Sequence, residues 1–121
     1  MKNCIIISCN NDYVPIAIVA LIQFSSKNRG YDMYIIGTQF TDNYKKLSEL
    51  YKIKCVQINL KNDFKYSLNN KYPIECFYHL YAYKLFQDYD YIISTEPDIY
   101  TNKKLNIDFS KIKYIAGSVI H

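Results

Sequence analysis

The hydrophobic positions of this chain fall into short continuous runs separated by longer segments of mixed polarity. Five runs rich in β-branched or aromatic residues predict buried strands. They are residues 4–8, 32–37, 54–60, 91–94 and 114–120. Three segments between them carry apolar residues at helical spacing or helix-capping signals. They are residues 13–24, 41–51 and 74–88. The order β-α-β-α-β-α-β-β predicts an α/β fold, a mostly parallel sheet with helices on both faces.

The helices differ in how their apolar residues are distributed. The helix over 13–24 is apolar on nearly every side, with Pro15 in its first turn, so we expect it to pack between the sheet and another layer. In the helix over 41–51, Leu47 and Leu50 are expected to face inwards and the charged residues to face water. Polar segments at 9–12 and 61–71 predict loops, and 102–108 predicts a turn or short edge segment.

Length and composition indicate one globular domain, residues 1–121. The chain has 121 residues, of which 50% are hydrophobic and 21% charged. This hydrophobic content is sufficient for one core and is typical of a globular rather than a disordered chain. Tyr, Ile, Lys and Asn are heavily used and Trp is absent, as is typical of an AT-rich genome. Such genomes are common in large DNA viruses, some bacteria and some protists.

Charge and hydropathy narrow the classes of partner and compartment. Fifteen basic and eleven acidic residues give a formal charge of +4, and the Lys residues are scattered rather than clustered in a stripe. A dedicated nucleic-acid-binding protein would carry a denser basic face. No apolar run is long enough for a signal peptide or a membrane span. We therefore expect a cytoplasmic protein, in a virus-infected host or otherwise, that binds no nucleic acid.

The four cysteines, Cys4, Cys9, Cys55 and Cys76, form no Cys-x-x-Cys pair. Cys4 and Cys55 lie inside apolar strand-like runs. A disulfide framework is more typical of a smaller chain with more loops. The cysteines are therefore expected to be reduced and largely buried.

Candidate chemistry follows the fourth predicted strand, where Glu96 and Asp98 are separated by Pro97. Ligands of α/β sheets bind at the carboxyl ends of the strands. Two carboxylates at such a position could hold a hard divalent cation, Mn²⁺ or Mg²⁺, with phosphate oxygens completing its coordination shell. The same pair could also be no more than a solvated turn.

Four other polar residues near strand ends or on the third predicted helix have similar alternatives. Asn10 and Asp12 follow the first strand and could serve only to form the loop and cap the next helix. Tyr13 could be a core residue or a stacking platform. His79, on a largely apolar helix, could be a packed hydrogen-bonded residue or part of a site.

Three stretches resemble the nucleotide-sugar-dependent glycosyltransferases of GT-A fold, in particular the family 8 group of glycogenin and galactosyltransferases. They are the strand and loop Ile5-Ile6-Ile7-Ser8-Cys9-Asn10-Asn11-Asp12-Tyr13, the helical segment Phe77-Tyr78-His79-Leu80, and the run Tyr89-Asp90-Tyr91-Ile92-Ile93-Ser94-Thr95-Glu96-Pro97-Asp98-Ile99 followed by Lys104-Leu105. Their order and spacing are similar to those of the family across nearly the whole chain. The resemblance implies a Rossmann-like GT-A domain that binds a nucleotide sugar.

The family pattern also implies roles for individual residues. By resemblance, Asp98 would ligate the metal, and Glu96 would contact the metal, the ribose or the donor sugar. Asn10, Asp12 and Tyr13 would line the base and ribose pocket, and Ser8 would donate a hydrogen bond from the strand end. His79 stands where the family has an Arg that binds phosphate or sugar. The catalytic residue stays unassigned.

The chain departs from the family pattern in three ways. Glu96 replaces the first Asp of the Asp-x-Asp motif, which lengthens that side chain by one methylene. His79 replaces a permanently charged Arg. The chain also ends about two dozen residues past Asp98, so we expect it to correspond to the nucleotide-binding half, without the acceptor half.

Two hypotheses of function follow. The chain is a metal-dependent glycosyltransferase, or its donor-binding half, that moves a sugar from a nucleotide donor such as a UDP-sugar to a hydroxyl of a glycan or protein. Alternatively it is a catalytically inactive GT-A-like module that binds nucleotide or scaffolds a complex. In either case a homodimer or a partner chain could cover the open face of the sheet.

Overall fold

The computed structural model describes residues 2–58 and 87–105, which build a four-stranded parallel sheet with two α-helices. The elements in chain order are β1 Asn3–Ser8, a 3₁₀ turn Asn11–Tyr13, α1 Val14–Lys27, β2 Tyr31–Gly37, α2 Asp42–Leu50, β3 Ile53–Gln57 and β4 Tyr91–Thr95. The order across the sheet is β3-β2-β1-β4, and every neighbouring pair is parallel.

The four strands predicted within the described residues are confirmed, with boundaries that shift by one to three residues. β3 ends at Gln57, before the predicted end at residue 60, and residues 59–86 lie outside the described part. Helix α1 continues three residues past the predicted end, to Lys27. Gln87 and Asp88, predicted as the end of the third helix, form a turn instead. The remainder of that helix, the loop over 61–71 and the fifth strand also lie outside the described residues.

The centre of the sheet is β1, which is buried on both faces as its unbroken apolar run predicts. Ile5 and Ile7 lie on one face, in a cluster with the inner side of α1. Cys4 and Ile6 lie on the other face and pack with Ile36 of β2. These four residues are at most 1% exposed. Full burial of an Ile stabilises the fold by roughly 1.5–3 kcal/mol, so the central strand anchors the sheet.

Both described helices pack on the face of the sheet that carries Ile5 and Ile7. Helix α1 places its inner residues there, namely Val14, Ala17, Ile18, Ala20, Leu21 and Phe24. Its outer residues Ile16 and Val19 remain 45% and 55% exposed. We expected α1 to be covered on both sides. Among the described residues, that second layer does not cover these two side chains.

Helix α2 uses different inner residues from those that the apolar pattern predicted. Leu47 is 37% and Leu50 78% exposed, so the expectation that both face inwards is wrong. Ser48 is fully buried instead, and Tyr44 packs against the core. The Ser48 hydroxyl donates to the Tyr44 carbonyl at 2.9 Å, and the Cys55 thiol lies 3.4 Å from Ser48 Oγ. A buried serine is tolerated there because its hydroxyl is hydrogen-bonded.

The cysteines within the described residues are reduced, as predicted. Cys4, Cys9 and Cys55 form no disulfide, and Cys76 lies outside the described part. Burial and, to a smaller extent, the negative charge of Asp32 raise the pKa of the Cys4 thiol to about 12. Burial also raises the pKa of Cys55. Both thiols are therefore protonated at neutral pH and belong to the core.

Candidate functional site: the carboxyl ends of β1 and β4

The strand order creates a switch point beside β1. From β1 the chain proceeds to β2 and β3 on one side, whereas β4 pairs with the opposite edge of β1. In open parallel sheets, ligands bind in the crevice outside the carboxyl ends of the strands at such a point. In this chain the crevice is bordered by the loop after Ser8 and the turn after Thr95.

The register brings two predicted site residues side by side. The last paired residues of β1 and β4 are Ile7 and Thr95. Ser8 comes next and ends β1, where it still pairs with Ile36 of β2, and Glu96 is the first residue after β4. Both therefore lie at the same level of the sheet's carboxyl end. They are 88 positions apart in the sequence, and only the parallel pairing of β1 with β4 makes them neighbours.

Ser8 combines burial with an unused hydroxyl. The residue is 8% exposed, and its Oγ has no hydrogen-bond partner within the part of the chain that the structure describes. An unpaired buried hydroxyl costs about 1–3 kcal/mol, so such groups usually have a role that offsets the cost. Because this hydroxyl lies at the strand end and makes no hydrogen bond to a described residue, it is suited to bind a ligand.

The loop after β1 is held tightly against the end of β2. The Cys9 N–H donates to the Ile36 carbonyl at 3.1 Å. A β-carbon on Gly37 would lie 3.0 Å from the Cys9 carbonyl oxygen and 3.1 Å from Cζ of Phe40. A side chain at position 37 would therefore fit only if the Cys9 backbone or the Phe40 ring moved by a few tenths of an ångström.

Asn11 connects the same loop to the beginning of α2. Its Oδ1 accepts a hydrogen bond from the Thr41 N–H at 3.0 Å, across 30 positions of sequence. Sequence analysis did not select Asn11, because nothing in the local pattern shows which distant N–H a loop side chain will bind. Its contact fixes one wall of the crevice.

Asn10 has the capping role that was one of its two predicted alternatives. Its Oδ1 accepts from the Tyr13 N–H at 3.3 Å, and its carbonyl accepts from the same N–H at 3.1 Å. Asp12 is exposed in the first turn, and Tyr13 is 47% exposed, so Tyr13 is not the core residue of the alternative prediction. Both side chains are available to solvent beside the crevice.

The turn after β4 presents its carboxylates and buries the residues between and after them. Glu96 and Asp98 are exposed, whereas Pro97 is half-buried and Ile99 packs against the core beside α1. The alternation anchors the turn through its apolar side chains and leaves both carboxylates facing solvent. Asp98 also borders an apolar groove of about 420 Å³ formed with the outer side of α1.

The carboxylate pair fits a hard divalent cation in its chemistry but supplies only part of a coordination shell. Carboxylate oxygens are preferred ligands of Mg²⁺ and Mn²⁺. No cluster of three or more His, Cys, Asp or Glu side chains occurs within residues 2–58 and 87–105. A cation held by Glu96 and Asp98 would therefore need further oxygens from water or from a phosphorylated ligand. His79, the remaining predicted site residue, lies outside the described residues.

A second residue that sequence analysis missed ties the segment beyond the acidic turn to α1. Asn28 follows the last residue of α1 and is 3% exposed. Its Nδ2 donates to the Phe24 carbonyl at 3.2 Å, and its Oδ1 accepts from the Leu105 N–H at 2.7 Å. The sequence indicated only a polar helix end there, and burial of the amide is what reveals its role.

Comparison with known proteins supports the fold. No protein-family model matches the chain, and no curated protein matches it. Among solved structures, the mannosyltransferase Ktr4p from S. cerevisiae aligns with 91% of this chain at a TM-score of 0.61 and 17% sequence identity. The chain spans 35% of the length of that enzyme chain.

The chain thus has an α/β, Rossmann-like fold of the GT-A type, as predicted. At 17% identity the likeness establishes the fold alone, and it does not distinguish family 8 from other GT-A glycosyltransferases. Within the described residues, no helix is long and apolar enough to cross a membrane.

Proposed function

We propose that this chain binds a nucleotide sugar and acts in glycosyl transfer, as the donor-binding part of a metal-dependent glycosyltransferase. The observation that carries the proposal is the switch-point crevice, where the unpaired buried hydroxyl of Ser8 adjoins the Glu96–Asp98 turn. Likeness of fold to a mannosyltransferase supports the class of reaction. Family 8 membership, a UDP donor, a glycan or protein hydroxyl as acceptor, and a cytoplasmic location are parts of the proposal.

Each residue would contribute through the group it presents. The Ser8 hydroxyl would donate a hydrogen bond to a ribose or phosphate oxygen. Asp12 would accept from ribose or base, and the exposed ring of Tyr13 would stack on the base. Asn10 would act mainly by holding the loop in shape, since its Oδ1 is already engaged by the Tyr13 N–H.

Glu96 and Asp98 would hold Mn²⁺ or Mg²⁺ together with the diphosphate oxygens. The bound cation would neutralise charge on the diphosphate leaving group as a Lewis acid. The turn presents both carboxylates to solvent from an anchored backbone, so binding would require little rearrangement. The longer side chain of Glu96 can reach the ribose or sugar hydroxyls as well as the metal.

A second candidate function is a binding or scaffolding module without catalysis. The absence of a third metal ligand among the described residues favours it, because two exposed carboxylates alone bind divalent cations weakly. Under this alternative, the chain binds nucleotide without transferring sugar and works with a partner chain or a second copy.

Calorimetric titration of UDP into the 121-residue chain, with and without Mn²⁺, tests donor binding. We expect binding that Mn²⁺ strengthens and that Asp98→Asn weakens at least tenfold, because one metal ligand loses its charge. Asp88→Asn is a matched control, since Asp88 is an exposed acid just before β4, at the opposite end of that strand. Absence of UDP binding under both conditions would overturn the proposal.

Donor turnover separates the two candidates. Release of UDP from a UDP-sugar by the wild-type chain, lost in Asp98→Asn and kept in Asp88→Asn, supports the enzyme. UDP binding without any turnover supports the inactive module.

A further inference from the structure

Two adjoining clefts lie at the amino end of the sheet, opposite the Ser8–Glu96 crevice. They have volumes of about 470 and 560 Å³. Their shared wall is the segment between α1 and β2, residues 28–31, where Gly30 adopts a left-handed φ of +87°. Clefts of this size are within the range that holds small molecules.

The walls of these clefts are strongly cationic. Five exposed basic side chains line them: Lys27, Arg29, Lys52, Lys54 and Lys104. Among the described lining residues, Asp32 is the single carboxylate, and its Oδ2 already accepts a hydrogen bond from the Tyr89 hydroxyl. The described lining residues therefore give the concave surface an excess of positive charge.

Lys52 occupies its place in the wall at a conformational cost. It lies just beyond α2 with a φ of +59°, and its N–H donates to the Glu49 carbonyl at 3.0 Å. Helices commonly end in this left-handed conformation, but with glycine, which has no β-carbon to strain. A strained non-glycine residue is a reason to look for function, and here the side chain adds a cation to the cleft.

Hydrogen bonds of Asn28 hold together two of the segments that line the clefts. The buried Asn28 binds the Phe24 carbonyl on one side and the Leu105 N–H on the other, at 3.2 and 2.7 Å. This tie holds Lys104, the neighbour of Leu105, close to Lys27 and Arg29, the neighbours of Asn28. Lys52 and Lys54, around the start of β3, complete the cationic lining, which therefore comes from three parts of the sequence.

We propose that these two clefts form a binding site for a small phosphorylated anion, separate from the proposed donor site. Phosphate groups pair with Arg and Lys through charge-assisted hydrogen bonds. A compact polyanion matches cations distributed over concave walls better than a flat membrane surface does. The site shares no residue with the Ser8–Glu96 crevice, so it does not depend on the function proposed above.

Titration of inorganic pyrophosphate into the full chain, in EDTA and at low ionic strength, tests this site without metal-dependent binding at the donor site. We expect saturable binding that weakens about three- to fivefold in each of Lys52→Gly and Arg29→Gln, the effect of losing one exposed charge contact. Lys46→Gln is the matched control, because Lys46 is exposed on α2 and lines neither cleft. Its affinity should equal that of the wild type.

Lys52→Gly also distinguishes loss of a binding contact from loss of folding. Glycine relieves the left-handed strain, so this variant should unfold at the same or a higher temperature while it binds pyrophosphate less tightly. Asp98→Asn should leave pyrophosphate binding unchanged. Absence of saturable binding, equal weakening by Lys46→Gln, or loss in Asp98→Asn would each overturn the proposal.

Sedimentation with vesicles distinguishes a free phosphorylated ligand from a lipid headgroup. Vesicles with and without anionic lipid are compared for the wild type and Lys52→Gly. We expect no Lys52-dependent binding to either kind. Lys52-dependent binding to anionic vesicles, together with no binding of pyrophosphate, would assign the surface to membranes and reject the proposed site.

Discussion

The side chain of Asn28 accepts a hydrogen bond from the backbone N–H of Leu105, 77 positions later in the chain, at 2.7 Å. The same amide donates to the Phe24 carbonyl at the end of α1. One buried residue thus closes the helix end and holds the segment that follows the acidic turn. The Glu96–Asp98 turn is therefore anchored at both ends, by β4 before it and by Asn28 after it.

Replacement of Asn28 by Ala should lower the free energy of unfolding by about 1–3 kcal/mol, since the Leu105 N–H loses its partner and the Phe24 carbonyl keeps only the bond from the backbone N–H of residue 28. Urea unfolding followed by circular dichroism measures the change. Ser26→Ala is the control, because Ser26 is exposed and its hydroxyl bonds only the Gln23 carbonyl within α1. Equal losses in the two variants would show that the Asn28 tie adds nothing to stability.

Replacement of Gly37 by Ala should be destabilising by about 1–3 kcal/mol, because the new methyl group would lie 3.0 Å from the Cys9 carbonyl and 3.1 Å from the Phe40 ring. The loop from Asn10 to Tyr13 would shift, so UDP affinity in Mn²⁺ should fall as well. Unfolding in urea and calorimetry with UDP report the two effects. An unaffected protein would show that the Cys9 backbone can move away freely.

The Tyr89 hydroxyl links β2 to the segment before β4. It donates to Asp32 Oδ2 and lies 2.5 Å from the Tyr34 hydroxyl. We expect Tyr89→Phe to lose about 1.5–3 kcal/mol of unfolding free energy at pH 8, because one of these bonds is to a carboxylate. Tyr100→Phe, at a side chain that is 74% exposed, is the control and should leave the free energy of unfolding unchanged.

The Tyr89 link should also depend on pH. Burial, followed by the hydrogen bonds to Asp32 and Tyr34, raises the pKa of Tyr89 above its usual value of 10.0. A raised folded-state pKa of an acid means that folding favours the neutral form, so its contribution is complete below about pH 10 and declines above it. The difference in unfolding free energy between wild type and Tyr89→Phe should be constant from pH 7 to 9.5 and shrink at pH 11. A difference that grows with pH would contradict the assignment.

The buried thiol of Cys4 gives a second alkaline dependence. Its pKa is raised from 9.0 to about 12, first by burial and then by Asp32, so the folded state holds the proton that the unfolded chain loses. Stability is therefore complete below pH 9 and falls by up to about 1.4 kcal/mol per pH unit between 9 and 12. In Cys4→Ala this part of the alkaline loss should disappear. Urea unfolding of both proteins at pH 8, 9.5 and 10.5 measures it, and parallel pH profiles would show that Cys4 is not the group responsible.

Local pattern was sufficient to locate the four strands and two α-helices of the described residues. The run from Cys4 to Ile7 has no polar residue, so it can only be a strand covered on both faces, and the structure buries it completely. The same logic placed the strand before Glu96. It failed in α2, where Leu47 and Leu50 were expected inside, because the face a helix buries is selected by its neighbour. The Cys55 thiol next to Ser48 Oγ shows which face that is.

The residues of the candidate site also differ in whether local sequence pattern could identify them. Glu96 and Asp98 were identified as candidates from their spacing and their place after a strand, and the resemblance to GT-A glycosyltransferases selected Ser8, Asn10, Asp12 and Tyr13. Asn11, Asn28 and the cationic clefts were not found, because their contacts join residues 30 to 77 positions apart. No local spacing encodes such a contact.

The sequence by itself determined where the four described strands and α1 lie, because the spacing of apolar residues indicates whether a segment can bury a face as a strand or as a helix. Only the tertiary structure decided that β4 pairs with β1 and not with β3, and this choice places Glu96 beside Ser8. Strand order depends on how whole faces pack and how chain crossovers close, and these are properties of distant segments together. The sequence therefore identifies residues of the candidate site, and the fold brings them next to one another.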